Sequence, residues 1–249
     1  MTLSRRRFLT TVTAGAVGVG AGVLVPAGPA VAAGSMELPP SLPPNTWLGT
    51  LLDYAVGVPD PKAVAAAGHA GVIRYVSDRR PGAEYMTGKP LLAGEATAMR
   101  AAGLTVASNY QFGKGETSDW LGGYPAGLKH GRRGAQLHAE AGGPPTAPIY
   151  VSIDDNPTFT QFVTLIAPYL LAWHTVIGPA RTGVYANAAT IEWASSLGLA
   201  RWFWQHGWGT PEGYVHPAAH LRQLRGQRTV GGVNVDVNTI LRADYGQWA

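Results

Sequence analysis

The sequence predicts an α/β domain folded as a (β/α)8 barrel of the TIM type, on three observations. Eight short runs rich in β-branched, aromatic and leucine residues recur after residue 47. Between the first six runs lie five Ala-rich stretches of helical character, each ending at Gly as helices commonly do. Nearly every run closes on a polar or aromatic residue, and the C-terminal strand ends are where a barrel gathers its functional side chains.

In order, the strand runs are LGTLLDYA (48–55), GVIRYVSD (71–78), LTVASNYQF (104–112), PIYVSID (148–154), TGVYAN (182–187), RWFWQH (201–206), HLRQL (220–224) and GVNVDVN (232–238). DPKAVAAAGHA, LAGEATAMRAAG, YPAGLKHGRRGAQLHAEAGG, PTFTQFVTLIAPYLLAWHTVIG and ANAATIEWASSLG are the intervening helical stretches. Repetition of strand, helix and strand implies parallel pairing with right-handed crossovers. The last three units lack clear helices, so the barrel is expected to be irregular there. An open doubly wound sheet is the alternative, but no G-x-G-x-x-G or Walker loop follows a strand, which removes the nucleotide-binding version.

Ahead of the domain stands a targeting segment. Ser4-Arg5-Arg6-Arg7-Phe8-Leu9 has the twin-arginine form; a Gly/Ala/Val stretch and the small-x-small triplet Ala30-Val31-Ala32 follow. Residues 1–33 therefore read as a twin-arginine signal peptide, 34–46 as an extended, unpaired Pro-rich linker, and 47–249 as the barrel domain. An uncleaved anchor is the alternative for the first segment, although its glycines suit a permanent membrane helix poorly. The expected partner is the twin-arginine export machinery, which carries folded proteins. The expected location is secreted or cell-wall associated, with no stable membrane span after cleavage.

The formal charge of +4 is largely the leader's: beyond Arg7, 16 basic residues face 15 acidic ones. The densest basic run, KHGRRG (129–134), reads as a solvated helix face, so nucleic acid is not an expected partner. The chain has no cysteine, which excludes disulfides, thiolate metal sites and a thiol nucleophile. His216 and His220 have i, i+4 spacing, but Pro217 lies between them and no Glu completes a zinc helix; neither metal nor cofactor is expected. No G-x-S-x-G elbow is present, and none of the four lysines lies inside a strand run.

Strand alternation sorts the remaining candidates. In run four, Ile149, Val151 and Ile153 share one face, so Tyr150, Ser152 and Asp154 point to the barrel axis. In run eight, Val233, Val235 and Val237 face out, leaving Asn234, Asp236 and Asn238 inside. The parity of run one is ambiguous, because Leu51 shares a face with Asp53 and Leu52 lies on the other. Neighbouring strand residues point to opposite faces, so Asp154 and Asp155 cannot form a facing pair. Asp155 falls on the following loop, with a turn or capping role beside a ligand-binding one.

Cleavage of a glycosidic bond takes two carboxylates flanking the bond. Asp154 is the candidate acid, with Asp53 or Asp236 as its partner. Substrate-binding candidates at the other strand ends are Tyr54, Arg74, Tyr110, Asp155, Tyr185, Asn187, Trp204, Gln205, Trp208, Gln223 and Asn238. Trp120, Trp204 and Trp208 could offer flat faces to sugar rings, and core packing is the alternative for each.

The segments GTLLDYAVG, GVIRYVSDRRPG, NYQFGKGETSDWLGG, APIYVSIDDNP, RTGVYAN, FWQHGWG, GGVNVDVN and YGQWA together resemble one family from about Gly49 to Ala249. It is the glycoside-hydrolase-like domain of twin-arginine-exported actinobacterial and mycobacterial proteins, related to the lysozyme-type muramidases of glycoside hydrolase family 25. The resemblance implies a (β/α)8-like barrel and a role at the cell wall. It places Asp53 at the aspartate ending strand one, and Asp154 where those muramidases carry the glutamate of an Asp-x-Glu motif. Here the motif reads Ser152-Ile153-Asp154, so Ser replaces its first carboxylate and the second is one methylene shorter. The expectation is an exported protein acting on cell-wall glycan, peptidoglycan first; the alternative is a glycan-binding or wall-regulating barrel without catalysis.

Overall fold

The computed structural model describes residues 37–44 and 46–249. The twin-arginine segment and its cleavage triplet lie outside the described residues. All eight expected strands form: β1 Gly49–Asp53, β2 Gly71–Tyr75, β3 Thr105–Tyr110, β4 Ile149–Ser152, β5 Thr182–Ala186, β6 Trp202–Gln205, β7 Leu221–Val230 and β8 Val233–Ile240. They close a barrel in chain order. α1 Pro61–Ala66, α2 Ala93–Ala101 and α3 Gly123–Glu140 follow the first three strands. After β4, α4 Phe159–Gln161 runs through a π-helical segment, Phe162–Ile166, into α5 Ala167–Ile177; α6 Ala188–Ser196 follows β5. No helix covers β7 or β8 among the described residues.

One expectation about direction is corrected. β1 to β7 pair in parallel, but β8 runs antiparallel to both β7 and β1. The cause is the connection: Val230 pairs with Val233 across Gly231-Gly232, both in the left-handed region. A two-residue hairpin of that backbone type returns the chain antiparallel, whereas a parallel return needs a dozen residues or more. Reversal places Asp236 nearer the open mouth and Asn238 deeper, the opposite of what a parallel β8 would give.

The strand interior is packed by Leu51, Ile73, Ala107, Tyr150, Tyr185, Trp204, Leu221 and Ile240, closed below by Tyr245. Leu51 therefore settles the parity of β1, with Asp53 inside and Leu52 in the outer layer. That layer divides in two: Leu52, Val72, Met99, Val106 and Val235 on one side, and Val151, Phe162, Tyr169, Trp173 and Phe203 on the other. Phe159–Ile177 is long and apolar enough to cross a membrane by composition. Its Phe162, Ile166, Tyr169 and Trp173 are instead buried against the barrel. Gly127, Gly131 and Gly134 line the buried face of α3; a Cβ at Gly134 would come within 2.7 Å of both Tyr110 and Trp173, so the helix needs glycine to sit this close.

Of the stretch 34–46, expected as an unpaired linker, residues 37–44 form no helix or strand but are held. The Leu42 N–H donates to the Val215 carbonyl (2.8 Å), Ser41 Oγ accepts from the Val215 N–H (2.9 Å), and the Tyr214 hydroxyl donates to the Pro39 carbonyl (2.8 Å). Prolines leave these backbone groups free for an outside partner, and the β6–β7 loop supplies it.

Candidate active site

A cavity of about 410 Å³ opens at the C-terminal end of the parallel strands, and Asp53, Asp154 and Asp236 all line it. Two are directly paired: Asp53 on β1 and Asp236 on β8 are Cα partners in the antiparallel ladder, which sets neighbouring side chains about 5 Å apart at Cβ. Asp154 follows β4, as strand alternation requires.

The environments differ. Asp53 is 2% exposed; its Oδ2 accepts from Asn238 Nδ2 (2.7 Å) and Gln223 Nε2 (3.2 Å). Burial, and after it the charge of Asp236, push its pKa up to about 7. Asp236 is half-buried, and burial followed by the charge of Asp154 raises it as well, against a hydrogen bond from Gln227. Every side-chain partner of Asp154 is a donor: Lys114 Nζ at 2.7 Å and Gln111 Nε2 at 3.1 Å to Oδ2, and Trp208 Nε1 at 3.0 Å to Oδ1. Two acids whose pKa values are raised thus share the mouth with one carboxylate ringed by N–H groups.

Around them the mouth is aromatic and amide-lined. Tyr185 donates to Gln223 Oε1 (2.6 Å), and Gln223 in turn donates to Asp53. Trp208 is 42% exposed and stacks on His206, centroids 5.2 Å apart and planes within 16°, so its free face is offered to the cavity. Between Gln223 and Gln227 the β7–β8 register slips, and the bulged Leu224, Arg225 and Gly226 lean over the opening. Trp204 and Asn238 lie beneath as supports, the Trp204 Nε1 donating to Asn238 Oδ1 at 2.8 Å.

Six expected binding residues turn away from this cavity. Arg74 and Tyr54 face outward: Arg74 is fully buried, donates to Glu95 and to the carbonyls of Tyr54 and Gly88, and stacks 4.0 Å over the Tyr54 ring. Tyr110 points into the outer layer and bonds His130 Nδ1 (2.7 Å). Asp155 accepts from Ser118 Oγ and Trp120 Nε1 (2.9 Å), a structural tie that also uses Trp120. Asn187 caps α6 through the Thr190 N–H and donates to Asn156; Gln205 holds the backbone of Tyr214 and His216. His216 and His220 are likewise committed, to Glu192 and to the Phe203 N–H, and no metal-binding group of three acidic or histidine residues forms among the described residues.

Sequence reasoning missed Tyr75, Gln111, Lys114, Lys89, Arg80 and Arg225, all of which line the cavity. Alternation could have found the first two, since Ile73 and Tyr75 share the inner face of β2, and Ala107, Asn109 and Gln111 that of β3. The cations sit on loops or a bulge, where no periodic signal exists.

Three comparisons bear on the chain. The family model described as "Rv2525c-like, glycoside hydrolase-like domain" matches residues 62–240. A Mycobacterium tuberculosis protein named "Putative peptidoglycan hydrolase Rv2525c" is 53% identical over 252 residues, covering 100% of both chains. The crystal structure of the Tat-secreted protein Rv2525c from that organism, in complex with L-tartrate, superposes with a TM-score of 0.80 at 59% identity, over 81% of this chain and 100% of that one. The bacterial lysozyme of Streptomyces coelicolor matches with a TM-score of 0.52 at 19% identity, over 77% of this chain and 91% of its own, a likeness of fold.

Proposed function

The chain belongs to the Rv2525c-like, glycoside hydrolase-like family, and on that premise we propose that it is an exported hydrolase of cell-wall glycan, with peptidoglycan as substrate. The observation that carries the reading is the three-carboxylate mouth, in which the paired Asp53 and Asp236 line the same cavity of about 410 Å³ as Asp154. The substrate assignment draws on the peptidoglycan hydrolase named among its relatives, and export draws on the twin-arginine segment together with the Tat-secreted relative.

Glycoside cleavage needs a proton on the departing oxygen and negative charge near the anomeric carbon as it becomes oxocarbenium-like. Burial holds the Asp53 pKa at about 7 and raises that of Asp236 as well, and Asp236, the more open of the two, is the acid placed to deliver a proton. Asp154 then faces the sugar, its geometry fixed by Lys114, Gln111 and Trp208. The C–O bond breaks, the leaving oxygen takes the proton from Asp236, and water bonds to the anomeric carbon as hydroxyl while its other proton returns to the carboxylates, restoring the acid. These roles reverse the order argued from sequence, in which Asp154 was the acid. Trp208 offers the sugar a flat apolar platform beside the reacting bond.

A second reading, a glycan-binding barrel without turnover, has its own observation. Ser152 stands where the related muramidases carry a carboxylate, and its hydroxyl is spent on Asn109 Oδ1 (2.9 Å). Digestion of purified wall glycan separates the two. The wild type is expected to release reducing ends, and Asp154→Asn to release them about 10²–10⁴-fold more slowly. Binding by both proteins with release by neither would sink the hydrolase.

A further inference from the structure

The mouth holds three cations that the catalytic proposal does not use, and two of them, Lys89 and Arg80, come from one loop. Lys89 lines the cavity yet is only 4% exposed, and Arg80, half-buried, lines it from the same β2–α2 loop. Among the described residues no carboxylate lies within ion-pair distance of either. Lys89 Nζ donates to the Gln111 carbonyl (2.5 Å) and lies 4.4 Å over the Tyr75 ring. An ammonium carries three N–H donors, and Asp119 and Asp78 act on it only from beyond ion-pair distance, so burying this cation is costly unless something anionic joins it. By contrast, Lys114 is paired with Asp154, and Arg225 stands apart on the β7 bulge, donating to the Gly207 carbonyl.

We infer that the Lys89–Arg80 corner is a subsite for a carboxylate carried by the glycan, so that the substrate class is an acidic sugar chain with free carboxyl groups. The inference rests on the glycan reading above. Burial holds the Lys89 ammonium down, to about 8, with the charge of Asp119 opposing and that of Arg80 assisting, so it is still charged at neutral pH and an arriving anion would stabilise that form. The guanidinium adds a planar two-pronged donor suited to a carboxylate. Neither cation pairs with the catalytic acids: among the described residues Lys114 is the cation within ion-pair distance of one of the three, Asp154. Where the carboxyl groups of a wall glycan are amide-linked to peptide, the substrate must be supplied by an amide hydrolysis that exposes them.

The test is titration calorimetry of the protein with a matched pair of ligands. One is a peptide-free peptidoglycan tetrasaccharide with free lactyl carboxylates; the other is the same tetrasaccharide with those groups as methyl amides. The wild type is expected to bind the acid at least about tenfold more tightly. Lys89→Met and Arg80→Gln are each expected to bring the two affinities within about threefold. Arg80 is on the rim, so its variant decides the matter if Lys89→Met does not fold. Equal affinities in the wild type, or a preference surviving in the folded variants, overturn the subsite and leave glycan cleavage standing. Absence of binding to either ligand, with no release of reducing ends, overturns both.

Discussion

The two faces of the β1–β2 pair bury charge in opposite ways. On the outer face Arg74 meets Glu95 and two backbone carbonyls, so donors and acceptors match and the corner ties the β1 and β2 loops together. On the inner face Asp53, Cα partner of Ile73 beside Arg74, meets another acid, Asp236. A buried charge with a complete set of opposite partners is scaffolding. A buried acid facing an acid keeps a proton at neutral pH, which is chemistry held ready at a cost in stability.

The largest break in this contrast is expected at Arg74. Arg74→Met leaves Glu95 without its cation and two carbonyls without their donor, and a loss of about 3–5 kcal/mol in denaturant unfolding is expected. Asp53→Asn is expected to act in the other direction and only at higher pH. The folded Asp53 holds its proton up to about 7 and the ordinary value is 3.8, so between these limits the folded state binds more protons and wild-type stability falls as pH rises. At pH 8 the variant should have regained stability relative to the wild type on the order of 4 kcal/mol at most, and near pH 3 almost none. His220, lowered to about 4 by burial, gives the opposite slope between that value and 6.5 in both proteins and cancels in the difference. A flat difference between the two unfolding profiles would remove the proton from the Asp53–Asp236 pair.

The adjacent aspartates sharpen the same distinction with smaller effects. Asp155→Ala strands Ser118 and Trp120, and a loss of about 1–3 kcal/mol is expected with glycan release per folded molecule largely kept. Asp154→Asn should stay within about 1 kcal/mol of wild type in stability, because its partners remain near solvent, while losing release. A thermal melt and a digestion assay on each variant check both statements.

Much of this arrangement was legible in the residues. Alternation in IYVSID and VNVDVN put Asp154 and Asp236 inside, and the helix-ending glycines marked five crossovers. Arg74 misled because a charged residue at a strand end looks like a ligand group, when its partner Glu95 lies 21 positions away. Strand seven was cut short at Leu224, although Gly-Gly between valines is a hairpin signal, because the bulge at 224–226 interrupts the alternation. Tyr75 and Gln111 were within reach of the same parity rule that found Asp154.

By itself the sequence determined how many strands there are and, on β4 and β8, which residues face inward. Periodicity is a local property of the backbone, and side chains follow it wherever the strand is unbroken. Tertiary structure decided which inward groups meet. The hairpin reversed β8 and set Asp236 against Asp53, the bulge tipped Arg225 over the mouth, and the β2–α2 loop carried Lys89 and Arg80 to the cavity. Those outcomes depend on turns, loops and pairings between distant segments, and no local period encodes them.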